Sequence, residues 1–185
     1  MRSGSRVLRD SGESSVVSSL PEYFSLFGLE PRFAIEPQRL AAAYREVLVH
    51  VHPDRHVGAG APQQRVAMQM ASHANEAYRT LKSDSARAAY LCGMHGAAPD
   101  GAASRRMPAE FLASQMRWRE IWEEEKDPDV RGALMQEVEA ARADLLRRIT
   151  CEIDEQGDYA AAADSVRALL FVEKFIEKMA ADTAD

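Results

Sequence analysis

Residues Tyr44–His56 read YREVLVHVHPDRH, and the triplet His52-Pro53-Asp54 within them falls where one strongly helical segment ends and a second is about to begin. Turning the chain back here needs little more than flexibility, which Gly58, Ala59 and Gly60 already supply. Pro53 does something more specific. Its ring fixes its own φ and disfavours the α region for His52, so the preceding helix is expected to stop near Val51. A His and an Asp are thereby displayed on a rigid corner, one able to donate or accept a hydrogen bond and the other an acceptor.

Upstream of that corner, Leu40, Tyr44, Val47 and Val51 recur at helical spacing and predict a helix over Pro37–Val51. Downstream, Val66, Met70, Ala74, Ala77, Tyr78 and Leu81 do the same over Gln63–Lys82, which gives an antiparallel hairpin of two amphipathic helices. A short helix over Pro21–Leu29 precedes them, opened by its proline and anchored by Phe24 and Phe27. Ser83 or Ser85 can cap a following helix that ends near His95-Gly96.

Gly96–Pro108 (GAAPDGAASRRMP) has the composition of a linker. Beyond it three helical patterns follow at short intervals. The first covers Pro108–Lys126 and is stopped by Asp127-Pro128. The second covers Asp129–Gln156, with Val130, Leu134, Val138, Ala141, Leu145 and Ile149 as a narrow stripe, and Gly157 ends it. The third is capped by Asp158 and runs to about Ala181. No strand pattern and no internal repeat is present, so the expectation is an all-α chain. Its parts are a disordered Ser-rich tail (1–20), a helical-hairpin domain (21–96), a linker (97–107) and an antiparallel three-helix bundle (108–181).

On the bundle's first helix, at about 100° per residue, Phe111, Gln115, Trp118 and Trp122 share one side and should face the core. Leu112, Met116, Glu120 and Glu124 form a separate row that begins apolar and ends acidic, either extra core or a docking strip. On the last helix Val166, Leu169, Leu170, Ile176 and Ala180 read as one face, with Phe171 and Phe175 pointing largely the other way. Aromatics off the core face are a cue to a contact site when they adjoin other exposed apolar residues.

Composition narrows the function. A net charge of −6 argues against general affinity for nucleic acid, and no apolar run approaches the roughly 20 residues needed to span a bilayer. Cys92 and Cys151 stand far apart, without the spacing of a zinc site or a disulfide framework. In the tail, Arg2, Arg6 and Arg9 suit a transit peptide but Asp10 and Glu13 oppose one. No nucleophile elbow, phosphate-binding loop or dinucleotide glycine fingerprint occurs. The enzymatic alternative is a metal-dependent hydrolase using His50, His52, Asp54 and His56. On a helix, however, His50 and His52 stand about 200° apart and cannot share an ion.

With its flanks, the His52-Pro53-Asp54 triplet resembles the signature of a J-domain. Ala74–Gly96 (ANEAYRTLKSDSARAAYLCGMHG) is similar to that family's third helix, connector and fourth helix, with Ala77-Tyr78, Leu81, Arg87-Ala88-Ala89-Tyr90 and the final glycine at matching spacing. The opening Tyr23-Phe24-Ser25-Leu26-Phe27-Gly28-Leu29, joined to an acidic three-helix bundle, resembles the HscB co-chaperones of iron–sulfur cluster assembly. Ala161-Ala162-Ala163-Asp164-Ser165-Val166-Arg167 with Phe171 is similar to their last helix, and the likeness extends over about Glu22 to Met179.

The resemblance implies an L-shaped, non-enzymatic co-chaperone without a cofactor, in the bacterial cytoplasm rather than a mitochondrial matrix. It implies two partners. An HscA-type (DnaK-like) ATPase chaperone would dock on His52, Pro53, Asp54, Arg45 and Arg55. An IscU-type iron–sulfur scaffold would dock on Leu112, Met116, Glu120, Glu124 and Phe171. Two departures stand out. Arg117 occupies a position that is acidic in the family, and the basic face of the second helix is thin, with Arg39, Arg45 and Arg55 and with His50 where a lysine is common. A J-protein of another pathway would share the triplet but need no such face on its bundle.

Overall fold

The computed structural model describes residues 22–51, 60–99 and 107–184. His52, Pro53, Asp54, Arg55 and His56 lie outside the described residues, as do the Ser-rich tail and most of the expected linker. The described residues form an all-α chain: α1 (Tyr23–Leu26), α2 (Pro37–Val51), α3 (Ala61–Lys82), α4 (Asp84–Met94), α5 (Ala109–Glu124), α6 (Pro128–Thr150) and α7 (Tyr159–Ala184). A π turn, Cys151–Glu155, prolongs α6. The hairpin of α2 and α3 packs with α1 and α4 in the N-terminal half, and α5 to α7 form the C-terminal bundle.

Local chemistry accounts for the boundaries. Ser83 Oγ accepts from the Ala86 amide at 3.3 Å and opens α4. Asp127 accepts from the Asp129 amide at 2.9 Å, with Pro128 in the first turn of α6. Asp158 accepts from the Ala161 amide at 3.0 Å at the start of α7. These are side-chain caps on otherwise unpaired helix amides. Gly96 and Gly157 end their helices at φ of 73° and 66°, the left-handed conformation that disfavours a side chain.

The cores of the two halves are continuous. Phe24, Phe27, Leu40, Ala77 and Leu81 of the hairpin join Leu91 and Cys92 of α4, and these meet Ile149, Ile153, Val166 and Leu169 of the bundle. Tyr44 stacks on Tyr78 across the hairpin at 4.1 Å between ring centroids, and Tyr23 stacks on Tyr90 at 4.5 Å. α4 lies against α7, so the hairpin is fastened to the bundle by more than the connecting chain.

Periodicity misplaced five apolar side chains, among them Ala180 of α7, which is exposed. Val66 is exposed, because the buried stripe of α3 runs Ala67, Ala74, Ala77, Leu81 and Val66 falls one residue off it. Val130 is exposed as well. The corner between α5 and α6 is closed by Arg131, whose guanidinium lies over the Trp122 ring at 4.4 Å and donates to the carbonyls of Trp122 and Glu125. On α7 the expected faces partly exchange, since Phe175 is 5% exposed and stacks on Trp118 while Leu170 is 46% exposed. The reason is position: α7 packs against α4 and α6 and takes the α5 aromatics as well, so it buries a wider face than one stripe.

A polar brace ties the two halves together. The Asp154 carboxylate, 4% exposed, accepts from the amides of Phe33 at 2.7 Å and Ala34 at 2.8 Å. Phe33 in turn lies under the buried Arg87 guanidinium at 4.9 Å. Arg87 donates to the carbonyls of Phe33 and Leu81 and to Asp84. Asp84 also pairs with Arg142 of α6 at 3.1 Å, and Arg142 reaches Glu173 of α7 at 3.6 Å. Removing the acceptor strands the amide of buried Phe33 at the junction, so Asp154→Ala is expected to cost about 1–3 kcal/mol in urea unfolding and to speed hydrogen exchange at the Phe33 amide. Asp144→Ala, which breaks an exposed pair with Arg147, should change stability by less than about 0.5 kcal/mol.

Candidate partner-binding grooves

α5 meets the bundle with one side only. Trp118 and Trp122 are buried, and their indole N–H groups donate to Glu137 at 2.7 Å and to Asp182 at 2.9 Å. Phe111 is half-buried, edge-on to both Trp118 and Phe171. Anchoring these three rings inward turns the neighbouring row outward. Leu112 is 45% and Met116 73% exposed, with Glu120 and Glu124 exposed beyond them.

That row forms one wall of an open groove of about 600 Å³, with Phe171 of α7 on the other side. All five residues expected on the scaffold face, Leu112, Met116, Glu120, Glu124 and Phe171, line it together. Gln115, Arg119 and Glu123 complete the lining and were missed by the angular split, which had assigned Gln115 to the core. Gln115 is half-buried, and its Nε2 has no hydrogen-bond partner among the described residues. The groove therefore has an apolar end and an end bearing three carboxylates and one guanidinium.

Arg117, the departure from the family pattern, points elsewhere. Its guanidinium pairs with Glu137 on α6, the same carboxylate that receives the Trp118 indole. The Trp118 hydrogen bond, aided by Arg117, holds the Glu137 carboxyl below its usual value. The cation at 117 is thus engaged within the bundle and does not enter the groove.

On the hairpin, Arg39 and Arg45 are exposed along α2, as a docking face requires. His50 is exposed at the end of α2, its Nδ1 2.8 Å from the Glu46 carbonyl one turn back. Among the described residues no group of three His, Cys, Asp or Glu side chains could hold a metal ion, and no helix is long and apolar enough to cross a membrane. Of the hydrolase set only His50 is described; His52, Asp54 and His56 are not. Burial raises the Cys92 thiol to about 11, which makes it a core side chain rather than a nucleophile.

The fold and the groove define a J-domain-plus-bundle protein, a class organised around binding faces. Comparison with known proteins narrows this. The model of the HSCB C-terminal oligomerisation domain matches residues 107–180. The co-chaperone protein HscB homolog of Bordetella pertussis is 44% identical over 161 residues, 86% of this chain and 95% of the relative. Among solved structures, the chaperone HscB from Vibrio cholerae matches with a TM-score of 0.78 at 29% identity, over 89% of this chain and 98% of its own. The human co-chaperone protein HscB matches with a TM-score of 0.82 at 21% identity, over 88% of this chain and 82% of its own, a likeness of fold. The chain belongs to the HscB family, the co-chaperones of iron–sulfur cluster assembly.

The shared carboxylate at Glu137 gives a test of how α5 is held. Glu137→Ala is expected to lower stability by about 1–2 kcal/mol at neutral pH by stranding the Trp118 N–H. Because the Glu137 carboxyl is depressed in the fold, its contribution is complete above the ordinary glutamate value and is lost as pH falls through the lower folded value. Urea midpoints of wild type and variant should therefore converge in acid.

Proposed function

We propose that this co-chaperone holds an IscU-type iron–sulfur scaffold in the groove between α5 and α7 and presents it to an HscA-type ATPase chaperone through the His52-Pro53-Asp54 triplet. The observation that carries the reading is the convergence of Leu112, Met116, Glu120, Glu124 and Phe171 on one groove. Exposed apolar side chains ringed by charge are the composition of an interface anchor, with Leu112, Met116 and Phe171 as the desolvated centre and the glutamates as a rim that orients the partner.

In this reading the chain is divided functionally at residues 97–107, with the J-domain over 21–96 and the scaffold-binding bundle over 108–181. His52, Pro53 and Asp54, together with Arg45 and Arg55, favour the hydrolysis-competent state of the ATPase chaperone by binding that state more tightly, without touching ATP. The chemistry belongs to the partner. This chain supplies binding on two faces whose separation is set by the brace at Arg87 and Asp154.

The test is steady-state ATP turnover by the HscA-type chaperone of the same organism, with this protein, with the scaffold, and with both. Stimulation that rises synergistically with the scaffold is the expected result, and stimulation indifferent to the scaffold would leave a J-protein of another pathway. Asp54→Asn is expected to abolish stimulation while scaffold affinity and helix content stay at wild-type levels. Leu112→Ala with Phe171→Ala is expected to weaken scaffold binding by about tenfold or more in calorimetry, as loss of interface anchors does. Unchanged affinity, or a variant that melts, would remove these residues from the interface.

A further inference from the structure

A second groove, of about 550 Å³, runs beside the first along the seam of α5 and α7. The two share Phe171, Arg119 and Glu123, so a body filling one borders the other. Their charges are opposite. The first carries Glu120, Glu123 and Glu124 against Arg119. The second carries Arg119, Lys174 and Lys178 against Glu123, over a floor made by Phe171 and the buried Phe175. Within the second groove Glu123 is engaged by Lys178 at 3.3 Å. Arg119 and Lys174 are exposed, and neither has a counterion among the described residues.

Arg119 and Lys174 thus line one groove with an aromatic floor, in a chain of net charge −6, and contribute no ion pair to the bundle's own stability. Like charges set side by side repel, and exposed pairs contribute little to folding. We propose that the second groove seats an acidic segment of the scaffold itself, one or more Asp or Glu carboxylates placed between Arg119 and Lys174, while the glutamates of the first groove face a basic strip on the same partner. This rests on the reading of the first groove as the scaffold site and deepens it. The interface is bipolar, with carboxylates in excess in the first groove and cations in excess in the second, and so admits the partner in one orientation only. A partner turned end for end meets like charge at both edges.

The experiment is calorimetric titration of the full chain with the cluster-free scaffold at about 50 mM and about 500 mM salt, between which the screening length falls roughly threefold. Lys174→Glu is expected to weaken binding by about tenfold at low salt and by no more than about twofold at high salt, as removal of a steering rim charge does. Lys174→Ala should fall between wild type and Lys174→Glu. Arg65→Glu on α3 makes the same change in net charge away from both grooves and should alter affinity by no more than about twofold. If Lys174→Glu matches Arg65→Glu while the Leu112→Ala, Phe171→Ala pair still weakens binding, the acidic segment is wrong and the scaffold site stands. If that pair leaves affinity unchanged, the scaffold site falls and the bipolar interface falls with it.

Discussion

A buried guanidinium organises the junction of this molecule. Arg87 is 7% exposed, and a cation removed from water without partners costs several kcal/mol. Its partners come from three directions: the Leu81 carbonyl at the end of α3, Asp84 at the start of α4, and the Phe33 carbonyl in the loop before α2. Those bonds hold the loop in place, and the loop then offers its two amides to Asp154 at the end of α6. The connection of hairpin to bundle is therefore a chain of satisfied polar groups around a continuous apolar core. The stacked pair of His95 and Tyr159, 3.6 Å between ring centroids, and the Arg167 donation to the Pro99 carbonyl fasten the other end of α4 to α7. The consequence is direct: the groove on the bundle and the exposed face of α2 are held in one geometry.

The π turn is what aims Asp154. Its i→i+5 bond, from the Gln156 amide to the Cys151 carbonyl at 3.0 Å, inserts an extra residue into the last turn. Ile153 keeps its place in the core while Asp154 faces the loop at 33–34. The arrangement has a cost close by. Glu152 is drawn into the junction, burial raises its carboxyl above the ordinary value, and one of its oxygens is buried without a partner among the described residues. A junction that tolerates a poorly solvated carboxylate to keep the neighbouring one aimed is set by the contact at residues 33 and 34.

Much of this was legible in the order of residues, for reasons that also mark where reading fails. Caps and glycines are local chemistry, so Ser83, Asp127, Asp158, Gly96 and Gly157 announce their boundaries directly. The row Leu112, Met116, Glu120, Glu124 was legible because α5 is anchored along one side by Trp118 and Trp122, and a helix with one buried side has one stripe. α7 has neighbours on several sides, so a single stripe could not describe it, and Phe175 and Leu170 were misassigned. The Asp154–Phe33 contact spans 121 residues and leaves no periodic trace. Nor did the second groove, although Phe171, Lys174, Phe175 and Lys178 recur at helical spacing and could have been read as one strip.

Arg117 shows how a departure from a family pattern can leave the groove's charge intact. Read on a helical wheel, a cation beside Met116 weakens an acidic face. In the fold, Glu137 holds both Arg117 and the Trp118 indole against α6, so the substitution reinforces the anchoring of α5 rather than entering the groove. Glu120 and Glu124 line the first groove alone, Lys174 and Lys178 the second alone, and Arg119 and Glu123 line both. Alternating the two signs across a narrow seam concentrates the field there while the rest of a net-negative surface repels other acidic proteins. Selectivity in such a surface comes as much from the partners it turns away as from the contacts it makes.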